Sequence, residues 1–98
     1  MWKGLLPIGS VVKLHNSDLR FMILSSCVVM ESDQNKIYDY CSCYFPDGFE
    51  DPDNLIMFNQ DDIEDVFCVG YISPEGEEYR KNEEKNLKGL RDGTIKIS

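Results

Sequence analysis

With 98 residues, 42% of them hydrophobic and 29% charged, the chain has the size of one folded domain with a thin core. Ten Lys and Arg against eighteen Asp and Glu give a net charge of −8, which argues against nucleic acid or an anionic membrane as partner, since both demand a cationic footprint. A single histidine removes most metal-hydrolase and imidazole-based acid–base schemes.

The first ten residues, Met1-Trp2-Lys3-Gly4-Leu5-Leu6-Pro7-Ile8-Gly9-Ser10, do not read as a secretory signal, because Pro7 and Gly9 interrupt the apolar run. The most apolar window, residues 21–30, is far shorter than the roughly 20 residues that span a bilayer. The expectation is a cytoplasmic protein without membrane insertion. Its four cysteines, Cys27, Cys41, Cys43 and Cys68, are then expected to be reduced and largely buried.

Residues 8–15 form the first strand candidate, with Ile8, Val12 and Leu14 on one face at period two. Asn16-Ser17-Asp18 is a polar turn. Residues 20–30 are apolar on both faces, the mark of a central strand covered twice. After Glu31-Ser32-Asp33-Gln34-Asn35, residues 36–45 form a third strand that divides Tyr38, Tyr40 and Tyr44 from Ile37, Cys41, Cys43 and Phe45. Pro46-Asp47-Gly48 closes it with a turn, and residues 49–54 read as a loop. Residues 55–58 are a short fourth strand.

Asn59 then has the character of a helix N-cap, with Asp61 and Asp62 in a favourable first turn and Ile63 pointing inward, so residues 60–65 read as one or two helical turns. Residues 66–73 resume as a strand that Pro74-Glu75-Gly76-Glu77 stops. Residues 77–88 are helix-like, with Glu77/Lys81 and Glu84/Lys88 at i,i+4, but with only Tyr79, Leu87 and Leu90 as apolar anchors. Asp92-Gly93 before Thr94-Ile95-Lys96-Ile97 is a competing hairpin signal. The reading is mainly β or α+β: a β-rich domain over residues 1–76 and a C-terminal helical or extended tail over 77–98. About five strands would form a compact, strongly bent antiparallel sheet, an SH3-like or partly open β-barrel, with a short helix before the last core strand. An α+β meander with the C-terminal helix across one face is the alternative.

Charge is segregated. Residues 37–79 carry twelve acids and no base, whereas residues 80–98 carry six bases and three acids. Among residues with chemical potential, Cys41 and Cys43 share a strand face and could recruit Cys27 or Cys68 to a metal, but their spacing is not that of a zinc knuckle. They read as small core hydrophobes. The acids at 51–53 and 61–65 lack the register of an EF-hand and read as solvated loop and helix start. His15 sits at a strand end with no nucleophile beside it. No catalytic, cofactor or metal residue emerges. The candidate binding surface is the tyrosine face, Tyr38, Tyr40 and Tyr44, rimmed by Asp39, Asp47, Glu50 and Asp51. The same tyrosines suit a second layer of core beneath the C-terminal helix, and both readings stay open.

Taken together, Leu6-Pro7-Ile8-Gly9-Ser10-Val11-Val12-Lys13-Leu14, Met22-Ile23, Tyr38-Asp39-Tyr40, the stretch from Tyr44 to Gly48, Phe58-Asn59 with Asp62-Ile63, and Val66-Phe67 through Gly70-Tyr71 form an ordered set. This set resembles a small family of uncharacterised domains of Gram-positive bacteria, often encoded beside LXG-type toxins and type VII secretion machinery. The resemblance covers residues 6–71 and implies a cytosolic accessory factor, a toxin chaperone or targeting adaptor. It implies no catalytic residues. The expected function is a non-enzymatic protein-interaction factor whose partner is an LXG-type toxin or secretion component. The alternatives are an immunity protein that neutralises a toxin domain and a small Cys-based metal-binding regulator.

Overall fold

A computed structural model describes residues 4–30 and 36–95. The first three residues, the 31–35 connection and the end of the C-terminal hairpin candidate at 96–97 lie outside the described residues. Five strands follow in order: β1 (Val11–Leu14), β2 (Arg20–Met30), β3 (Lys36–Phe45), β4 (Ile56–Phe58) and β5 (Ile63–Cys68). Among the described residues one α-helix, α1 (Pro74–Asp92), follows the strands, and 3-10 turns occupy Pro52–Asn54 and Gln60–Asp62. The strands make one antiparallel sheet in the order β4-β3-β2-β1-β5.

This order dictates the shape. β4 and β5 are the two edges, yet four residues join Phe58 to Ile63. Fully extended, that link reaches roughly 18 Å, and its 3-10 turn makes it shorter. Five flat strands at about 4.8 Å spacing would hold their edges about 19 Å apart. The sheet must therefore curl until its edges approach. Two local features in β2 bend it: a register shift between Ile23 and Ser25, and a left-handed backbone at Cys27 (φ 55). The expected bent sheet is present, but it is open: among the described residues β4 does not pair with β5, so the β-barrel expectation holds only in its partly open form.

The concave side holds the core. Val12, Phe21, Ile23, Tyr40, Phe58 and Ile63 pack together, with Leu5 and Leu6 entering from the N-terminal segment and Leu87 from α1. The helix is thus anchored by Leu87, which is 4% exposed, although Tyr79 from the same expected stripe stands in solvent.

Three element boundaries differ from expectation, each for a local reason. The first strand starts at Val11 rather than residue 8, because Pro7 to Ser10 form a turn in which Ser10 N–H donates to Pro7 O (3.2 Å) and Gly9 N–H to Ile23 O (2.7 Å). The helical start after Asn59 ends at Asp62, and pairing of Ile63 with Leu14 makes residues 63–68 the strand. Pro74 opens the helix instead of stopping a strand. Ser73 is its N-cap, with Oγ accepting from Gly76 N–H (3.1 Å), Pro74 fills the first turn, and Gly93 ends it at φ 85.

Candidate functional site

The tyrosine strand comes first, because the sequence singles it out. Tyr40 is fully buried and packs against Phe58, with ring centroids 5.3 Å apart. Its hydroxyl accepts from Leu6 N–H (2.8 Å) and donates to Gln60 Oε1. Burial, more than any neighbour, pushes its pKa up to about 12. Asp39, also buried, accepts from Gln60 N–H at Oδ2 (2.7 Å) and pairs with Arg91 Nη1 at Oδ1 (2.9 Å). Asn59 is the N-cap residue of the Gln60–Asp62 turn, its N–H donating to Asp62 Oδ2 (2.8 Å), and its Oδ1 also ties β3 to α1 by accepting from Asp39 N–H (2.9 Å) and from Arg91 Nη2 (3.2 Å). Glu84 completes the cluster by accepting from Leu5 N–H (3.1 Å). The cluster fastens the N-terminal segment, β3, the Gln60–Asp62 turn and α1 to one another. Among the described residues, every buried side-chain nitrogen and oxygen has a partner. Its chemistry is consumed internally.

The expected binding face is accordingly not assembled as one surface. Tyr40 and Asp39 are core and clamp, which corrects their placement at an interface. Tyr38 and Tyr44 are half-buried, and Tyr44 packs on Phe21 at 5.4 Å between centroids. Asp47, Glu50 and Asp51 are exposed, but they follow the far end of β3 from Tyr38, and Asp51 Oδ1 accepts from Asp53 N–H (2.9 Å). They do not rim Tyr38.

The cysteines divide in the same way. All four are free thiols, with Cys41 and Cys43 buried, Cys27 half-buried and Cys68 exposed. Cys68 departs from the expected burial because β5 is an edge strand. Burial is the chief cause raising the thiol pKa of Cys27, Cys41 and Cys43, which keeps them protonated near neutral pH. No group of three or more potential metal ligands occurs among the described residues. In a thiol-reagent titration without reductant, Cys68 is expected to react in the native protein, and all four thiols on unfolding. Fewer than four equivalents after unfolding would reveal a disulfide. His15 is exposed, its Nδ1 4.0 Å from Glu64 Oε1, and Lys13 bonds the same carboxylate and holds its pKa low.

A different site is built where separated stretches meet. Ser10 Oγ donates to Pro7 O (2.7 Å) and accepts from Gly70 N–H (2.9 Å). The two chain segments approach so closely that a Cβ on residue 70 would lie 2.0 Å from Ile8 O, so only glycine fits there. This contact sets Ile8 beside Tyr71 at the mouth of a groove of about 620 Å3 between β2 and α1. Leu6 and Leu24 contribute apolar lining from one side, with Ser25 and Ser26 on β2. The helix contributes Glu75, Gly76, Tyr79 and Arg80, which fall on one face at helical spacing. Ser26 Oγ lies 3.4 Å from Glu83 Oε2, joining the walls. Ile8 is 63% exposed, Tyr71 85% and Tyr79 62%. Sequence reasoning missed this site because its residues lie in a tight turn, a strand, a loop and a helix, which no single periodicity connects. The available signal was local: Pro7 and Gly9 flank Ile8 and Gly70 precedes Tyr71, breaking the strand pattern at both positions.

The fold and the groove define a curled, open five-stranded antiparallel sheet sealed by one C-terminal helix. No helix among the described residues is long and apolar enough to cross a membrane. The chain belongs to the DUF4176 family, a domain of unknown function, whose pattern matches residues 5–79. That span includes every groove residue except Arg80. No curated protein and no solved structure matched the chain.

Proposed function

We propose that this domain is a non-enzymatic, cytosolic protein-interaction factor that serves an LXG-type toxin of a type VII secretion system as chaperone or targeting adaptor. The observation that carries the binding role is the groove, where three large apolar side chains stand in water around a concavity. Contiguous exposed apolar surface on a small domain is characteristic of a site for another molecule. The buried polar cluster supports a non-catalytic reading, since its carboxylates, amide and phenol are engaged with one another. The toxin assignment rests on the ordered residues that resemble domains encoded beside such toxins. Co-expression with the separated parts of a neighbouring toxin tests it. An adaptor or chaperone is expected to co-purify with the toxin, and its deletion is expected to lower toxin solubility or export without arresting growth. A chain that leaves no complex with any toxin part contradicts the proposal.

The twelve acids of residues 37–79 favour one second reading, an immunity protein that covers a basic toxin surface. In that case the complex forms with the C-terminal toxin part, and deletion arrests growth.

A further inference from the structure

We propose that the groove between β2 and α1 receives a basic amphipathic helix of a partner protein, with the partner's apolar face against Ile8, Tyr71 and Tyr79 and its cations toward the acids that flank the groove. This inference rests on the reading of the chain as a protein-interaction factor and names the surface and the partner's chemistry.

The shape is the first ground. β1 accompanies β2 only as far as Met22, and the backbone of Ile23 is bonded to Gly9 and Ser10. Beyond that point α1 lies next to β2, and the wedge between strand and helix remains open as a trough. Its 620 Å3 falls within the range of about 300–1,000 Å3 typical of sites that bury most of what they bind. An amphipathic helix presents side chains at i, i+3, i+4 and i+7 along one line, which is the form of anchor row that a trough of this kind accepts. Two tyrosines at its mouth are suited to the task, because each adds broad apolar contact at low conformational cost.

Charge is the second ground. The outer wall, from Tyr71 to Tyr79, ends the stretch of residues 37–79 that contains twelve acids and no base. Glu75 lines the trough, and Glu77 and Glu78 stand exposed on the same helical turns. Lys81 pairs with Glu77 at 3.7 Å, and Arg80 lies within the trough near Gly76. Against these two bases stand four acids, Glu75, Glu77, Glu78 and Glu83, the last with Oε2 3.4 Å from Ser26 Oγ across the trough, so the local balance stays acidic and draws in a cationic segment. A basic helix is therefore complementary both to the trough's apolar floor and to its surroundings. An acidic helix matches only the floor.

The probe is a fluorescein-labelled helical peptide of about 14 residues, roughly four turns, built from Leu and Lys with the leucines on one face. Its counterpart carries Glu in place of every Lys. Fluorescence anisotropy with the full chain is expected to show binding of the Lys peptide and at least about tenfold weaker binding of the Glu peptide. Tyr71→Ala and Tyr79→Ala are each expected to weaken the Lys peptide about tenfold. Both side chains are mostly exposed, so the variants should keep the wild-type circular dichroism spectrum. Asp51→Asn, at the far end of β3, is expected to change binding less than about twofold. Absence of binding, equal binding of both peptides, or tyrosine variants that bind as wild type would each overturn the proposal. So would a dimer by sedimentation that Tyr71→Ala dissolves, since a second copy would then be the occupant. The purified chain and peptide decide this point without the toxin. A toxin complex that forms normally with the Tyr71→Ala/Tyr79→Ala double variant would sink the groove proposal while leaving the interaction role intact.

Discussion

Replacing Tyr40 by Ala is expected to destabilise the protein by about 3–5 kcal/mol, the usual cost of deleting a large aromatic from a packed core. Tyr40 has no exposed surface, and it contacts Phe58 as well as the polar clamp. Tyr40→Phe separates the two contributions. It keeps the ring but leaves Leu6 N–H and Gln60 Oε1 without the phenol, a loss of about 1–3 kcal/mol. The pH dependence follows from the raised pKa, about 12 in the fold against 10 for a free tyrosine. Ionisation is harder in the folded state, so the contribution is fully present below pH 10 and is lost as pH rises from 10 through 12. At about 1.4 kcal/mol per unit, roughly 2–3 kcal/mol disappears over that interval. Chemical denaturation at pH 9 and pH 11.5 checks it: wild type should lose more stability between the two than Tyr40→Phe does. Equal losses would place the phenol in water.

Leu87→Ala is the second large effect, expected at about 2–5 kcal/mol. Leu87 is the buried aliphatic side chain by which α1 enters the core, flanked by the Glu84–Leu5 and Arg91–Asp39 contacts. Removing it should bring the amides of α1 into faster hydrogen exchange together with those of Leu5 and Leu6. Arg91→Ala should act in the same direction but more weakly, because the Arg91 side chain is 44% exposed and its ion pair is partly screened. An unchanged denaturation midpoint in Leu87→Ala would mean that the helix is not part of the cooperative unit.

The strands that the sequence displays most clearly are those where a long run of strand-forming residues lies between polar turns. β2 and β3 begin and end at the expected residues for this reason. Errors gather where one residue supports two readings. Pro74 ends a strand as readily as it opens a helix, and the hydroxyl of Ser73 decides between them. Ile63 suits the inner face of a short helix or the start of a strand, and its pairing with Leu14 decides that case. Period two groups Tyr38 with Tyr40 and Tyr44, but Tyr40 and Tyr44 pack into the core together with Ile37, and the spacing does not say which side of a bent strand a distant helix will cover. The groove was the least legible feature. It depends on Ser10 bonding to Gly70, sixty residues away, a contact that leaves no periodic trace in the chain. Ile8 and Tyr71 meet only because of it.

Hydrogen exchange of the domain alone and in complex with a toxin that co-purifies with it tests the central claim most directly. Added protection is expected at residues 6–10, 24–26 and 71–80, with residues 46–54 unchanged. Protection confined to residues 46–54 and the exposed end of β3, with the groove exchanging as in the free protein, would contradict it and return the interface to the acidic turn beside Tyr44.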